Sequence, residues 1–290
     1  MSAPLPGYVH VNGRLWPARR AHVSALDRGL LYGDGLFETV RAYNGRVFAL
    51  PQHLARLRGS ARFLTMAFPR RPWQQDIDTL LQRNGLRGAD AWVRITLTRG
   101  AAAPGLLPRA RMRPTVVISA GRLPSAIATA QRRGVRVSLF PFARHGFLAE
   151  HKVLAYLPAV LGKALAARHG AFEGLFVDGD GRVAEGTTSN VFIRRRRQWL
   201  TPPAAGILPG ITRRLVIDVA TADGLRVQER ALTPADVMAA DEAFLTSSLI
   251  EMVPVTRVDD HEIGDAQIGA ATRRLQQLYR QMVDHSLAQP

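Results

Sequence analysis

Strand-like and helix-like stretches alternate along almost the whole chain, and this alternation narrows the fold more than any single motif. "YVHVNGRLW" and "LFETVRAYNGRVFAL" read as strands, and the Asn-Gly pair in "YNGR" marks a tight hairpin turn. "PQHLARLRGSARFLTM" and "PWQQDIDTLLQRNG" then place apolar residues at helical spacing, before "AWVRITLTRG" and "RPTVVISA" return to strands. Between residues 121 and 134, "GRLPSAIATAQRRG" loses the apolar pattern, and "VRVSLFPF" restarts it. The expected organisation is an N-terminal α/β domain over 1–120, a linker over 121–134 and a C-terminal α/β domain over 135–290. In the second domain "HKVLAYLPAVLGKALAARHG" and "GITRRLVIDVATADG" read as helices, "EGLFVDGDGRVAEGTTSNVFI" as a hairpin and "EAFLTSSLIEMVPVTRVD" as a closing strand pair. Two mixed α/β domains predict a ligand site in the cleft between them.

Composition removes several function classes. With 290 residues and 47% hydrophobic content there is ample material for real cores, yet no stretch approaches the roughly 18 unbroken apolar residues of a membrane span. The N-terminus lacks the apolar core of a secretory signal, so a cytoplasmic protein without a membrane partner is expected. There is no cysteine, which excludes disulfides, thiolate zinc and a cysteine nucleophile, and no metal site is expected. A net charge of +16 raises nucleic acid as a partner. The arginines are spread through every segment, however, and the run Arg194 to Arg197 sits between two strands, where a solvated hairpin tip is the ordinary reading. No nucleic-acid partner is expected.

Only two of the 39 basic residues are lysines, Lys152 and Lys163. A chain that uses arginine for charge keeps lysine where arginine cannot act, and imine chemistry is one such place, because guanidinium stays protonated. Lys163 lies mid-helix, where a surface lysine is ordinary. Lys152 lies where an irregular approach meets the expected helix start. Glu185 follows a hairpin turn and precedes the apolar run "VFI", which predicts a carboxylate at a strand end near the interior. In "GILPGITRR" a glycine turn leads into a helix, so the amides of Ile211 and Thr212 form a candidate phosphate cup, to which Ser247 and Ser248 could add hydroxyl donors. A phosphate site, an imine-forming lysine and a buried carboxylate match what pyridoxal 5'-phosphate requires.

The pieces "DRGLLYGDGLFETVRAYNGRVFALPQHLARLRGSA", "EHKVLAYLPAVLGKALA", "VAEGTTSNVFI", "GILPGITR" and "FLTSSLIEMVPV" stand in an order and spacing that resembles the class IV pyridoxal-phosphate aminotransferases of fold type IV. That family includes D-amino acid transaminases, branched-chain aminotransferases, (R)-amine transaminases and aminodeoxychorismate lyases. The resemblance implies a two-domain α/β fold like that of D-amino acid aminotransferase, with the cofactor in the inter-domain cleft. It implies that Lys152 is the Schiff-base lysine, carried by the C-terminal domain, that Glu185 pairs with the pyridine nitrogen, and that Arg56 grips the phosphate with Ile211, Thr212 and Ser248. It also implies amino acid and 2-keto acid substrates and a homodimer.

On the substrate side, "DRGLLYGDGLFETV" and "TRG" are more similar to the D-amino acid and lyase branches than to the branched-chain branch, so D-amino acids are the expected donors. Pro104 stands where those branches carry a carboxylate-binding arginine, and Leu30 where they carry a tyrosine. Arg28 or Arg99 is therefore expected to hold the substrate carboxylate, with Leu30, Tyr32 and Thr39 as further substrate-side residues. The lyase forming 4-aminobenzoate, and (R)-amine or branched-chain transamination, remain the alternatives, with a basic nucleic-acid-binding protein as the remote one.

Overall fold

The structure, a computed structural model, describes residues 7–109, 111–142 and 146–289. It divides into two compact units, Met1–Pro124 with His151–Ala155, and Ser125–Glu150 with Tyr156–Pro290.

In the first unit, strands β1 (Tyr8–Val11), β2 (Arg14–Pro17), β3 (Gly35–Tyr43), β4 (Arg46–Val47), β5 (Ala91–Thr98) and β6 (Thr115–Arg122) form an antiparallel sheet in the order β2-β1-β6-β5-β3-β4. Helix α1 (Arg28–Tyr32) precedes β3, and α2 (Leu50–Phe63) and α3 (Trp73–Arg83) pack on β3 and on β1 and β6 respectively. The alternation of β5 separates the two faces of the sheet. Ala91, Val93, Ile95 and Leu97 are buried, whereas Trp92, Arg94 and Thr96 are half-buried. The register pairs Glu38 with Ile95 and Thr39 with Arg94, so Glu38 shares the core face and Thr39, Phe37 and Arg94 share the other.

The second unit holds β7 (Val135–Phe140), β8 (Glu173–Val177), β9 (Val183–Gly186), β10 (Asn190–Arg195), β11 (Gln198–Thr201), β12 (Arg226–Glu229), β13 (Glu242–Ser247), β14 (Glu251–Val258) and β15 (His261–Glu262). They make a mixed sheet in the order β12-β11-β10-β13-β14-β7-β8-β9, with β15 on β14. Its helices are α4 (Ala126–Arg133), α5 (Leu157–Arg168), α6 (Ile211–Ala222), α7 (Pro234–Met238) and α8 (Ala270–Ala288). Arg196 and Arg197 form the turn between β10 and β11. No helix among the described residues is long and apolar enough to cross a membrane.

Two boundaries differ from the sequence expectation. The stretch 121–134 is folded, because β6 runs to Arg122 and α4 buries Ile127 and Ala130. The expected helix from residue 151 begins only at Leu157, since Pro158 occupies its first turn and a proline ring there blocks extension toward the N-terminus. Residues 151–155 instead join the first unit at the free edge of β3. Val153 bridges Leu36, the Phe37 amide donates to the Lys152 carbonyl at 2.9 Å, and the Leu154 amide donates to the Gly35 carbonyl at 2.9 Å. Gly35 permits this approach: a Cβ there would lie 2.6 Å from Leu154 Cδ1 and 2.7 Å from the Leu97 carbonyl. Lys152 therefore belongs to the first unit, not to the C-terminal domain.

Candidate active site

The first unit gathers one set of candidate residues around β3. Lys152 is half-buried, with its ammonium 4.6 Å from the centre of the Phe37 ring. The Arg94 guanidinium lies 3.7 Å from the same ring, so two cations flank one aromatic side chain. On the core face Glu38 accepts from Arg56 Nε and Nη2, both at 2.8 Å, and from His53 Nδ1 at 2.7 Å. Burial by itself would raise the Glu38 carboxyl, but the Arg56 charge and hydrogen bonds, with help from His53, outweigh it and hold the group at about 2. Burial is also the chief reason His53 titrates below its ordinary value. Glu38 pulls it upward, and the Arg56 and Lys152 charges add to the lowering. A carboxylate can only accept, so neutral His53 must carry its proton on Nδ1.

The second set lies in the second unit. Glu185, near the end of β9 and 2% exposed, accepts at Oε2 from the Leu208 amide at 3.2 Å and from Asn190 Nδ2 at 3.4 Å. The strand-end carboxylate near the interior is thus where the sequence placed it. Asn190 Nδ2 also donates to the Leu208 carbonyl at 3.1 Å, and the Asn190 backbone pairs with Thr246 at the end of β13. A Cβ on Gly210 would collide with Asn190 Oδ1. Asn190 therefore ties the carboxylate to the start of α6 and to the strand that runs into half-buried Ser247 and Ser248. Gly210 is the N-cap of α6, no side chain caps the helix, and its first turn carries no acidic residue. The first amides of the helix, including those of Ile211 and Thr212, suit an anion.

The two arginines expected to hold a substrate carboxylate are engaged elsewhere. Arg28 is buried, donating from Nε to Asp34 at 2.7 Å and from its terminal nitrogens to the Gly105 and Leu106 carbonyls. Arg99 donates to the same Asp34 oxygen at 2.8 Å and to the Leu64 and Thr65 carbonyls. Burial alone would raise the Asp34 carboxyl, but the hydrogen bonds and charges of Arg99 and Arg28 outweigh it and pull the group below the ordinary carboxylate range. Tyr32 takes a hydrogen bond from the Gly105 amide at 2.9 Å, and Leu30 is 71% exposed. Thr39 is half-buried opposite Arg94. Glu38, His53, Arg94 and Asn190 were not singled out from the sequence. Arg94 could have been, since it breaks an otherwise apolar and hydroxyl strand, but the other three reveal themselves only through distant partners.

Residues 35–258 match the family described as amino-transferase class IV. The chain belongs to the class IV aminotransferases. This class IV aminotransferase is 38% identical over 276 residues to a Methanocaldococcus jannaschii protein provisionally named a branched-chain-amino-acid aminotransferase, covering 94% of the chain and 95% of that protein. It is 32% identical to the aminodeoxychorismate lyase of Bacillus subtilis, with 96% of both chains covered. It is also 32% identical to the D-alanine aminotransferase of Bacillus licheniformis, covering 91% and 93%. Among solved structures it matches a branched-chain amino acid aminotransferase holding pyridoxamine 5'-phosphate, at a TM-score of 0.89, 31% identity and coverage of 96% and 94%. It also matches the branched-chain aminotransferase of Thermoproteus uzoniensis with norvaline, at a TM-score of 0.86, 30% identity and coverage of 96% and 95%. The fold is that of the fold type IV enzymes, and the cofactor is pyridoxal 5'-phosphate. The residues present suit that cofactor: the uncapped start of α6 suits its phosphate, and buried Glu185 suits a protonated ring nitrogen.

Proposed function

We propose that this aminotransferase moves an amino group between a branched-chain aliphatic amino acid and a 2-keto acid, with Lys152 and Glu185 serving one cofactor. When bound, pyridoxal phosphate supplies an electron sink for the electron pair left on the α-carbon when the amino substrate loses its proton. Arg56 is held by Glu38 in one orientation to grip the phosphate, together with Ile211, Thr212, Ser247 and Ser248. Glu185 keeps a proton on the ring nitrogen by placing a fixed negative charge against it. Lys152 Nζ would accept the proton that the substrate's α-carbon loses and hold it for return.

The observation that carries the choice of donor is the similarity to branched-chain aminotransferases, at 38% identity over 276 residues for the Methanocaldococcus jannaschii protein and a TM-score of 0.89 for a solved one. Arg28 and Arg99, held by Asp34 and backbone carbonyls, are already committed and do not hold the α-carboxylate that branched-chain and D-amino acid donors both carry. Arg94, on the ring that Lys152 also meets, takes that role instead, with Thr39 beside it. The similarity to a D-alanine aminotransferase keeps D-amino acid transamination as the second reading. A homodimer belongs to the proposal, supported by the exposed apolar side chains Leu30, Leu31, Leu106 and Leu107 of the first unit and Leu157, Val160 and Leu161 of the second.

A donor screen tests this reading. L-leucine or L-valine is expected to convert the cofactor to its amine form, seen as loss of the visible band. Conversion by D-alanine alone would establish the second reading, and pyruvate release from aminodeoxychorismate without a keto acceptor would establish the lyase. Arg94→Ala is expected to lower kcat/KM for carboxylate-bearing donors by roughly 10- to 100-fold and to leave (R)-1-phenylethylamine little affected. Equal losses for both would make Arg94 structural.

A further inference from the structure

Lys163, the second lysine, has no part in the site described above, yet its ammonium donates to the Phe172 carbonyl and stands 3.6 Å from Glu173 Oε2. Glu173 opens β8, is 1% exposed, and collects donors from one short segment. Its Oε1 accepts from the Gly174 amide at 3.0 Å and from Thr187 Oγ1, and its Oε2 from Thr188 Oγ1 at 2.9 Å and Ser189 Oγ at 3.3 Å. Three consecutive hydroxyls thus converge on one buried carboxylate, including that of Thr188, whose residue as a whole is exposed. Burying a carboxylate is costly unless its lone pairs are satisfied, and here each oxygen has at least two donors or cations within reach.

The segment so held is the turn between β9 and β10, which joins Glu185 to Asn190. It is fixed from other sides as well. The Gly186 amide donates to the Ser189 carbonyl at 2.6 Å, the Thr187 amide to the Gly174 carbonyl at 3.0 Å, and Tyr156 Oη to the Thr187 carbonyl at 3.1 Å. A Cβ on Gly186 would collide with Ser189 Oγ and lie 3.2 Å from Glu173 Cγ, so the turn is packed tightly against the carboxylate. Glu185 and Asn190 stand at its two ends and share a hydrogen bond, and any shift of the turn moves one against the other.

We propose that Glu173, charge-paired with Lys163, is a positioning residue that sets the geometry of Glu185 and Asn190 by clamping the turn between them. The proposal rests on the reading of Glu185 as the partner of the ring nitrogen. It also gives a reason for lysine at position 163 in a chain that otherwise uses arginine. A compact ammonium reaches the Phe172 carbonyl and the Glu173 carboxylate at once, where a planar guanidinium presents its donors in a fixed fork.

The test is a double-mutant cycle on the holoenzyme. Glu173→Gln keeps the side-chain shape but removes the charge and half of the acceptor capacity. It is expected to lower kcat roughly 10- to 100-fold, the scale of a small misplacement of a catalytic group, with a much smaller change in KM. The pH at which the cofactor absorption bands interconvert should shift, a readout that a loss of stability alone does not move. In the Glu185→Gln background the same change should cost nothing further in kcat, because both act through one carboxylate. Additive losses, or wild-type bands and kcat in Glu173→Gln with only a lower Tm, would overturn the proposal. Near-normal turnover of Glu185→Gln alone would overturn the reading of Glu185 and this proposal with it. Should Glu173→Gln not fold, Lys163→Met and Thr188→Val decide: smaller shifts of the bands in the same direction support the clamp, and unchanged bands and kcat in both overturn it.

Discussion

Glu38 and Glu173 are both 1% exposed, one in each unit, and each holds a neighbour of the proposed chemistry, but with different partners. Glu38 takes two of its three hydrogen bonds from one guanidinium, that of Arg56. Glu173 takes its hydrogen bonds from a backbone amide and three hydroxyls, with Lys163 at 3.6 Å. The first arrangement orients a charge and the second orients a turn. Removing Glu38 strands the mostly buried charge of Arg56, whereas removing Glu173 strands neutral hydroxyls and the ammonium of Lys163, whose side chain is 44% exposed and stays solvated, which costs less.

The largest expected effect is on stability. Glu38→Gln is expected to cost about 3 to 5 kcal/mol in denaturant unfolding. Inorganic phosphate or the cofactor should restore part of it by giving Arg56 a new anion. A loss below about 1 kcal/mol would show that Arg56 does not depend on Glu38. The acid limb of stability follows. Because the folded Glu38 carboxyl sits at about 2, well below its ordinary value of 4.5, its contribution is complete above about 4.5 and lost as pH falls toward about 2. Integrated over that window it amounts to about 3 kcal/mol, and Glu38→Gln should flatten the limb. His53, lowered chiefly by burial, adds a loss in the same direction that begins as pH falls below its ordinary 6.5. Glu173→Gln should cost about 1 to 3 kcal/mol, and Thr188→Ala about 1 kcal/mol or less. If Glu173→Gln proves as costly as Glu38→Gln, the distinction between charge and hydroxyl partners fails.

Local pattern carried much of the fold. The Asn-Gly hairpin, the strand β3, the alternation of β5, and the helices α2, α3 and α6 stand near where periodicity and turn residues placed them. The burial of Glu185 and the uncapped start of α6 were legible too, because both depend on residues a few positions away. Helix α8 was there to be read, since Thr272, Leu275, Tyr279 and Val283 bury one face at helical spacing. The segment at Lys152 was not. Its apolar residues fit a helix, but edge pairing with β3 and the block at Pro158 decide otherwise, and the first depends on residues more than a hundred positions distant. Arg28 and Arg99 looked available for the same reason. Their shared partner Asp34 lies only six positions from Arg28, but the rest of their engagement depends on Gly105, Leu106, Leu64 and Thr65, which no local pattern connects to them.

Attachment of the cofactor at Lys152 is open to one decisive measurement, because lysine is so scarce in this chain. Borohydride treatment of the holoenzyme fixes the cofactor to the amine that holds it, and peptide mass mapping then locates the adduct. With only Lys152 and Lys163 available as lysines, the peptide containing Lys152 is expected to carry the added mass. An adduct on the Lys163 peptide, or the same adduct retained in Lys152→Ala, would mean that the cofactor is held elsewhere.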